Sequence, residues 1–190
     1  MNRIIIVLIV LGSMVACNNS YTPKPPAYFR ISFPEKVYQA TDNKLPYTFE
    51  YPTYTLLKAD TSRGAEPFWT NLYFPDFNAG IHITYKVVDG NLPNLLEDAR
   101  TMAFKHTVKA DAIDEQIFVN PNSKVSGLMY TIKGNAASQI QFYLTDSNRH
   151  FLRGALYFNE HPNKDSLAPV VAFVSEDIVH LIESVQWNEQ

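Results

Sequence analysis

A single cysteine, Cys17, sets the first limit on what this chain can fold into. It follows the segment MNRIIIVLIVLGSMVA, in which one positive charge precedes an apolar run from Ile4 to Leu11. That layout is typical of an export signal, and the run is too short to span a bilayer stably. Once residues 1–16 are removed, no second thiol is left to pair with Cys17. The exported chain therefore forms no internal disulfide, and its fold depends on its core alone.

The position of Cys17, directly after the small residue Ala16, resembles the lipobox of bacterial lipoproteins. In those proteins the cysteine thiol receives a diacylglycerol, the signal is cut just before it, and the new amino terminus is acylated. A lipobox usually has leucine three places before the cysteine, where this chain has Met14, which is similar in size and polarity. We therefore predict lipidation at Cys17 and attachment to a membrane through this N-terminal lipid. The alternative is an ordinary signal peptide whose cysteine happens to lie near the cut.

Composition predicts one compact domain behind a short tether. Residues 17–27 are polar and proline-rich, which indicates an extended tether leading to a single globular domain at 28–190. The formal net charge of −3 and the lack of a basic run argue against nucleic acid as a partner. Twelve Phe and eleven Tyr favour a β-sheet. The residues after Cys17 lack the acidic cluster that surface-exported lipoproteins often carry, so we expect the periplasmic side of a membrane.

The first half of the domain is predicted to hold three strands and a helix. Residues 47–51 and 67–74 indicate two strands bounded by proline. Residues 80–88 alternate strictly, and one face of that strand carries Ile81, Ile83, Tyr85 and Val87. Apolar residues at helical spacing then predict a helix over 92–110.

The second half is predicted as an antiparallel meander followed by a helix. Turn residues separate four predicted strands, near 113–119, 125–133, 138–145 and 150–158. A final helix is predicted over 167–187, capped by Asp165 or Ser166. Strands, helix, meander and helix form an α+β order, an antiparallel sheet flanked by two helices. That order resembles the Mog1/PsbP-type sandwich, and the analogy concerns the fold alone.

No constellation of residues predicts catalysis. The histidines lack the paired spacing of a metal site on one helix, and they lie at His82, His106, His150, His161 and His180. Ser138 follows a small-residue turn that could hold a nucleophile, but the turn more simply closes a hairpin. We therefore predict no enzyme activity, no metal site and no cofactor.

One face of the predicted meander carries polar and aromatic side chains. Tyrosine and arginine together on an exposed surface are typical of protein contacts. We therefore name a candidate protein-contact face, made of Gln139, Gln141, Tyr143, Phe151, Arg153 and Tyr157. The alternative is that a helix covers this face and that Arg153 is an internal salt-bridge partner.

Three long segments resemble the gliding-motility lipoprotein GldD family of the Bacteroidetes. They are YTPKPPAYFRISFPEKVY (21–38), FPDFNAGIHITYK (74–86) and GNAASQIQFYLTDSNRHFLRGALYFNEHPNKDSLAPV (134–170). The resemblance implies a lipid-anchored envelope protein needed for gliding, whose partners are envelope proteins of the gliding and type IX secretion apparatus. Of the family's functional residues, it transfers only the lipidated Cys17.

Two functional hypotheses follow. The first is a non-enzymatic component or stabiliser of the gliding and secretion machinery. The second is an envelope small-ligand-binding protein or enzyme, with a pocket beside the polar-aromatic sheet face that would hold Arg153, Tyr143 and a nearby histidine.

Overall fold

A computed structural model describes residues 31–42, 44–105, 110–159 and 163–188. The chain divides into two units, Met1–Ile31 and Ser32–Gln190, and every helix and strand described here belongs to the second. In chain order the elements are β1 (Tyr38–Ala40), β2 (Tyr47–Thr48), β3 (Glu50–Pro52), β4 (Leu56–Ala59), β5 (Thr70–Phe74), a 3₁₀ turn (Pro75–Phe77), β6 (Ala79–Val87), α1 (Leu92–Phe104), β7 (Ala110–Asn120), β8 (Val125–Gly134), β9 (Ile140–Thr145), β10 (His150–Phe158), α2 (Lys164–Ser184) and β11 (Gln186–Trp187).

Seven strands form one antiparallel sheet in the order β4-β5-β6-β10-β9-β8-β7. Two meanders, β4–β6 and β7–β10, lie side by side and join where β6 pairs with β10. The first meander reaches the second through α1, so the element order gives an α+β fold with an antiparallel sheet and two helices. The predicted fold class is confirmed.

The apolar core lies between α2 and one face of the sheet. On β6, Ile81, Ile83 and Tyr85 point into this core, as the alternation predicts, whereas Val87 at the strand end is exposed. The central strands add a row of buried apolar side chains, and α2 covers them with Val170, Val174, Ile178, Leu181 and Ile182. Each fully buried side chain of this size contributes about 1.5–3 kcal/mol, so this interface is the main source of stability.

Close packing at the centre of the sheet requires a glycine. Gly154 on β10 lies directly opposite Phe142 on β9. A Cβ atom at Gly154 would lie 2.2 Å from the Phe142 ring, which is closer than any real contact. The absence of a side chain at Gly154 therefore lets the Phe142 ring lie flat over the neighbouring strand.

Both ends of α2 differ from the prediction. The cap is Asn163, whose side chain accepts hydrogen bonds from the backbone N–H groups of Asp165 and Ser166. The helix thus begins before the predicted residue 167, and Pro169 lies inside it, where it leaves one carbonyl without its helical donor. It ends at Ser184, because Val185 turns to an extended conformation and Trp187 pairs with Tyr47 in a two-stranded sheet of β11 and β2.

Three other predicted boundaries were wrong. The first helix ends at Phe104 instead of 110, since Ala110 already belongs to β7. The predicted strand at 47–51 is two strands, β2 and β3, which pair with different partners. The strand predicted at 67–74 begins only at Thr70 because Phe68 has a left-handed backbone with φ of 68°. The Phe68 carbonyl accepts a hydrogen bond of 2.7 Å from the buried Tyr47 hydroxyl, which holds it there.

A buried carboxylate joins the entering chain to α2. Asp177 is only 1% exposed, and it accepts hydrogen bonds from Lys36 Nζ (2.7 Å), Tyr38 OH (2.9 Å) and Tyr54 OH (2.5 Å). Burial, and then the hydrogen bond to Asp177, raise the pKa of Tyr38 and of Tyr54 well above the ordinary value. Both hydroxyls therefore stay protonated at neutral pH and remain hydrogen-bond donors to Asp177. We call Asp177 and its three donors the Asp177 cluster.

We expect Asp177→Asn to lower the free energy of unfolding by about 2 kcal/mol. The substitution leaves Lys36 without its closest counter-charge. It also brings the NH₂ group of the amide, a donor, next to tyrosine hydroxyls that need an acceptor. Urea denaturation followed by circular dichroism measures the change. The matched control is Glu176→Gln, since the neighbouring exposed Glu176 lies 3.5 Å from the same Lys36 Nζ and should contribute about 0.5 kcal/mol or less. Equal effects of the two substitutions would contradict the assignment.

Candidate functional site

Five of the six residues of the candidate contact face share one side of the sheet. In the register of β9 and β10, Arg153 lies opposite Tyr143, and Ala155 lies opposite Gln141. Because side chains alternate along each strand, Phe151 and Tyr157 point to this same side, which is opposite to the core under α2. Gln139 lies before the first residue of β9 and borders a cleft beneath α2, so alternation does not place it with the other five.

The first helix covers one end of this face. Phe151 is 3% exposed and packs with Val88 and with Ala99 of α1 in a second, smaller apolar cluster. The Tyr143 ring stacks on Phe151 with centroids 5.7 Å apart, and three leucines of α1 pack against the same cluster, Leu92, Leu95 and Leu96. Tyr143 and Phe151 therefore belong to the packing of α1 on the sheet.

The exposure predicted for the face is wrong for three of its residues. Gln139 and Gln141 are buried in addition to Phe151, with Gln141 only 2% exposed. Buried side chains cannot contribute to a contact surface while the sheet keeps this packing. The contact role of Tyr143, Arg153 and Tyr157, which are half-buried, stays a prediction.

Arg153 is held by neutral groups. Its guanidinium donates a 2.7 Å hydrogen bond to Gln141 Oε1 and is hydrogen-bonded to Tyr157, while burial lowers the pKa of Arg153. In the described part of the chain no carboxylate forms an ion pair with Arg153, so the alternative of an internal salt bridge does not hold there. Three buried side-chain atoms have no hydrogen-bond partner in the described part of the chain: Asn71 Oδ1, Gln139 Oε1 and Gln141 Nε2.

A polar cleft of about 680 Å³ lies at one end of the sheet, where two hairpin turns meet the C-terminal strand. The turn between β9 and β10 is built on Asp146, which accepts hydrogen bonds from the backbone N–H groups of Asn148, Arg149 and His150 at 2.8–2.9 Å. Burial acts to raise the pKa of Asp146, but these three donors outweigh it and the pKa is lowered. Ser147 completes the turn with a left-handed backbone.

His150 forms the wall of this cleft. It is buried, its ring stacks on Trp187 with centroids 5.0 Å apart, and its Nδ1 lies 2.8 Å from the Tyr85 hydroxyl. The remaining lining is polar, with two cationic side chains among Asn122, Ser123, Lys124, Asn148, Arg149 and Gln186. The sequence pattern does not predict this cleft, because it places Trp187 in a helix and a helical Trp187 would not reach His150.

A second cleft, of about 410 Å³, lies beneath the first half of α2, between that helix and β8. Its lining includes Thr131, Gln139, Val171 and Ala172, together with Asp111 and Asp165. Neither of these two clefts is lined by Arg153 or Tyr143, so neither is the pocket that the ligand-binding hypothesis expected beside the sheet face.

The other predicted residues fall into separate places. His82 is exposed and lies edge-on to Tyr157, while His180 stacks on Tyr38 and contacts Glu50 at 2.7 Å. Cys17, His106 and His161 lie outside the described residues. Within the described ranges, no group of three or more His, Cys, Asp or Glu side chains could hold a metal ion. Those ranges also contain no helix with the length and apolar composition needed to cross a bilayer.

We expect His150 to make stability depend on pH. Burial lowers its pKa below the ordinary value of about 6.5, the positive charge of Arg149 acts in the same direction, and Asp146 opposes both. The unfolded chain therefore binds more protons just below that pH, so the stability present above about pH 6.5 is lost as the pH falls through the folded-state pKa.

Replacing this group should flatten the pH dependence. In His150→Gln, the slope of unfolding free energy between about pH 5 and pH 7 should be smaller by up to about 1.4 kcal/mol per pH unit. Urea titrations at a series of pH values measure that slope. His82→Gln, at an exposed position of the same sheet, is the control and should keep the original slope. An unchanged slope in His150→Gln would refute the assignment.

Comparisons with known proteins agree with this fold. In the solution structure of cyanobacterial PsbP (CyanoP) from Synechocystis sp. PCC 6803, the matched region covers 86% of this chain and 100% of that chain, at 13% identity and a TM-score of 0.50. That likeness concerns the fold alone. No curated protein matches the sequence. The family described as Gliding motility lipoprotein GldD matches residues 18–187, starting directly after Cys17. The chain therefore belongs to the gliding motility lipoprotein GldD family.

Proposed function

We propose that this protein is a non-enzymatic component or stabiliser of the gliding-motility and type IX secretion machinery, anchored by a lipid on Cys17 at the periplasmic side of a membrane. The observation that carries the proposal is the family match, which spans residues 18–187 and thus nearly the whole chain after the predicted signal. Membership of a motility lipoprotein family associates the protein with the envelope and with motility. The non-enzymatic role, the link to secretion and the periplasmic side are proposals that go beyond the family match.

The way in which the fold uses three of its charged side chains supports a structural role. Asp177 is occupied by three donors, Asp146 by three backbone N–H groups, and Arg153 by Gln141 and Tyr157. Each of these groups fixes one part of the chain to another. None is placed beside a nucleophile with the base and orienting partner that covalent catalysis needs.

Ligand binding is the second candidate, and the polar cleft at His150 is the observation that favours it. Its volume falls in the usual range for small-ligand sites, and an aromatic wall beside polar side chains can orient a small polar molecule. The double variant Lys124→Ala/Arg149→Ala separates the two candidates, since both side chains are exposed and line the cleft. A ligand-binding role requires loss of gliding or secretion in that variant, whereas a role carried by other surfaces does not.

We expect Cys17→Ala to abolish gliding and secretion while the domain stays folded, because the protein can no longer be held at the membrane. Cell fractionation checks the loss of membrane attachment, and limited proteolysis checks that the domain is folded. Microscopy of cell movement and measurement of secreted protein check gliding and secretion. Met14→Leu is the matched control, since it brings the segment closer to a usual lipobox and should keep both anchoring and function. Full gliding and secretion in a strain whose Cys17→Ala protein is soluble would contradict the proposal.

We also expect crosslinking in living cells to capture gliding or secretion components with the anchored protein, and the capture to be lost in the Cys17→Ala strain. Mass spectrometry identifies the captured proteins. An anchored protein that captures nothing above the level of this control would count against a stable subunit and in favour of the cleft.

A further inference from the structure

The two edges of the seven-stranded sheet differ in how they are protected. At one edge, β4 has four residues and an exposed Lys58. Short length and an outward lysine are usual ways in which proteins keep a sheet edge from pairing with other chains. At the other edge, β7 has eleven residues paired with β8, and no strand in the described part of the chain pairs with its outer side. A long row of backbone donors and acceptors is therefore available along β7.

Apolar side chains accompany this open edge. Ile117 and Val119 are 75% and 68% exposed, the two highest values among the large apolar residues of the described ranges. They lie two positions apart and so on the same side of the sheet, where Leu128 lies opposite Ile117 and Tyr143 lies opposite Leu128. A further strand beside β7 would extend this row and remove both side chains from water.

The charges on β7 indicate what kind of strand would fit. The strand carries three carboxylates and no lysine or arginine, and two of them, Asp114 and Glu115, are exposed near its middle. Asp114 forms an ion pair with Lys133 on β8, at 2.5 Å. The first half of β7 therefore favours basic residues on a new neighbour, and the second half favours apolar residues at alternate positions.

We propose that residues 113–119 of β7 receive an extended segment of a partner protein as an added antiparallel strand, with alternate apolar residues beside Ile117 and Val119 and basic residues beside Asp114 and Glu115. Main-chain hydrogen bonds supply attraction along the edge, and the charges select the partner and its direction. The segment stops short of Asp111, which lines the cleft beneath α2.

Charge makes a second copy of this chain the poorer occupant. Two β7 strands centred on each other would place Glu115 opposite its own copy, with Asp114 of each strand close by. Like charges directly opposite each other destabilise a strand pair. The acids thus oppose self-association and favour a basic partner at the same edge.

The test uses the protein purified in detergent from its own cells and two synthetic peptides, VTVTKKT and VTVTEET. When antiparallel to β7, the first sets its valines beside Val119 and Ile117 and its lysines beside Glu115 and Asp114. Residue-resolved hydrogen–deuterium exchange then reads the outward-facing amides of 113–119. We expect VTVTKKT to slow their exchange about tenfold, and VTVTEET to have little effect. Exchange in the other strands shows in the same experiment that the protein, and each variant described next, is folded.

Two variants make the result specific. Asp114→Lys/Glu115→Lys should reverse the preference toward VTVTEET. Ile117→Thr/Val119→Thr should lose protection by VTVTKKT, while Val87→Thr, which alters an exposed valine elsewhere in the same sheet, should keep it. Equal protection by both peptides, protection confined to other strands, no protection at all, or dimerisation of the protein through β7 would each overturn the proposal.

This inference deepens the proposed function, since it states how a partner in the machinery would be recognised. The two can fail separately. Peptide protection is measured on the purified protein and does not depend on gliding, whereas the Cys17→Ala strain tests the anchored role in cells without reference to β7.

Discussion

The packing of α2 across one face of the sheet is the interaction on which the rest of this structure depends. Alternation along β6, β9 and β10 makes that face apolar, and the ring of Phe142 over Gly154 makes it flat enough for a helix to lie on. The position of α2 then determines two distant features. The buried Asp177 on α2 binds the entering chain, and the early end of α2 at Ser184 lets Trp187 turn back to His150.

The opposite face of the sheet shows why polar and aromatic residues do not by themselves make a surface. The residues on β9 and β10 that look suitable for a contact are partly under α1, and Tyr143 and Phe151 pack against it. Among the described residues, the large apolar side chains that remain most exposed lie at the edge of the sheet, on β7. The exposure of apolar side chains in this sheet therefore follows strand order more closely than it follows composition.

Local patterns predicted much of the fold. Period-2 alternation located β6, and turn residues separated β7, β8, β9 and β10 to within a few residues. These features depend on neighbours in sequence, which a single sequence displays. The errors arose where a distant contact overrides local preference. Trp187 has helical spacing with the residues before it, but pairing with Tyr47 and stacking on His150 hold it in a strand. Residues 47–51 alternate aromatic and polar side chains as a single strand would, yet β2 pairs with β11 whereas β3 pairs with β1.

The candidate site was less predictable for the same reason. Which face of the sheet α1 would cover could not be read from the helix, because the apolar stripe of α1 fits either face. The polar cleft joins residues 122–124, 146–150 and 186–187, so its existence depends on three connections that no local pattern specifies. Asp177 reads as one half of an exposed acidic pair with Glu176, and only the arrival of Lys36, Tyr38 and Tyr54 makes it a buried anchor point.

The route by which the chain enters the domain has a mechanical meaning. Phe33 stacks on Phe173, Lys36 and Tyr38 bind Asp177, and Tyr38 also stacks on His180, so the entering segment lies along successive turns of α2. A pull on the chain from its N-terminal side, where the proposed anchor lies, would load these contacts together before it could peel β1 from β3. The seven-stranded sheet would carry tension only after these contacts with α2 had broken. A protein tethered to a membrane beside a moving machine would in this way yield at its attachment segment first, and its folded core would survive the strain.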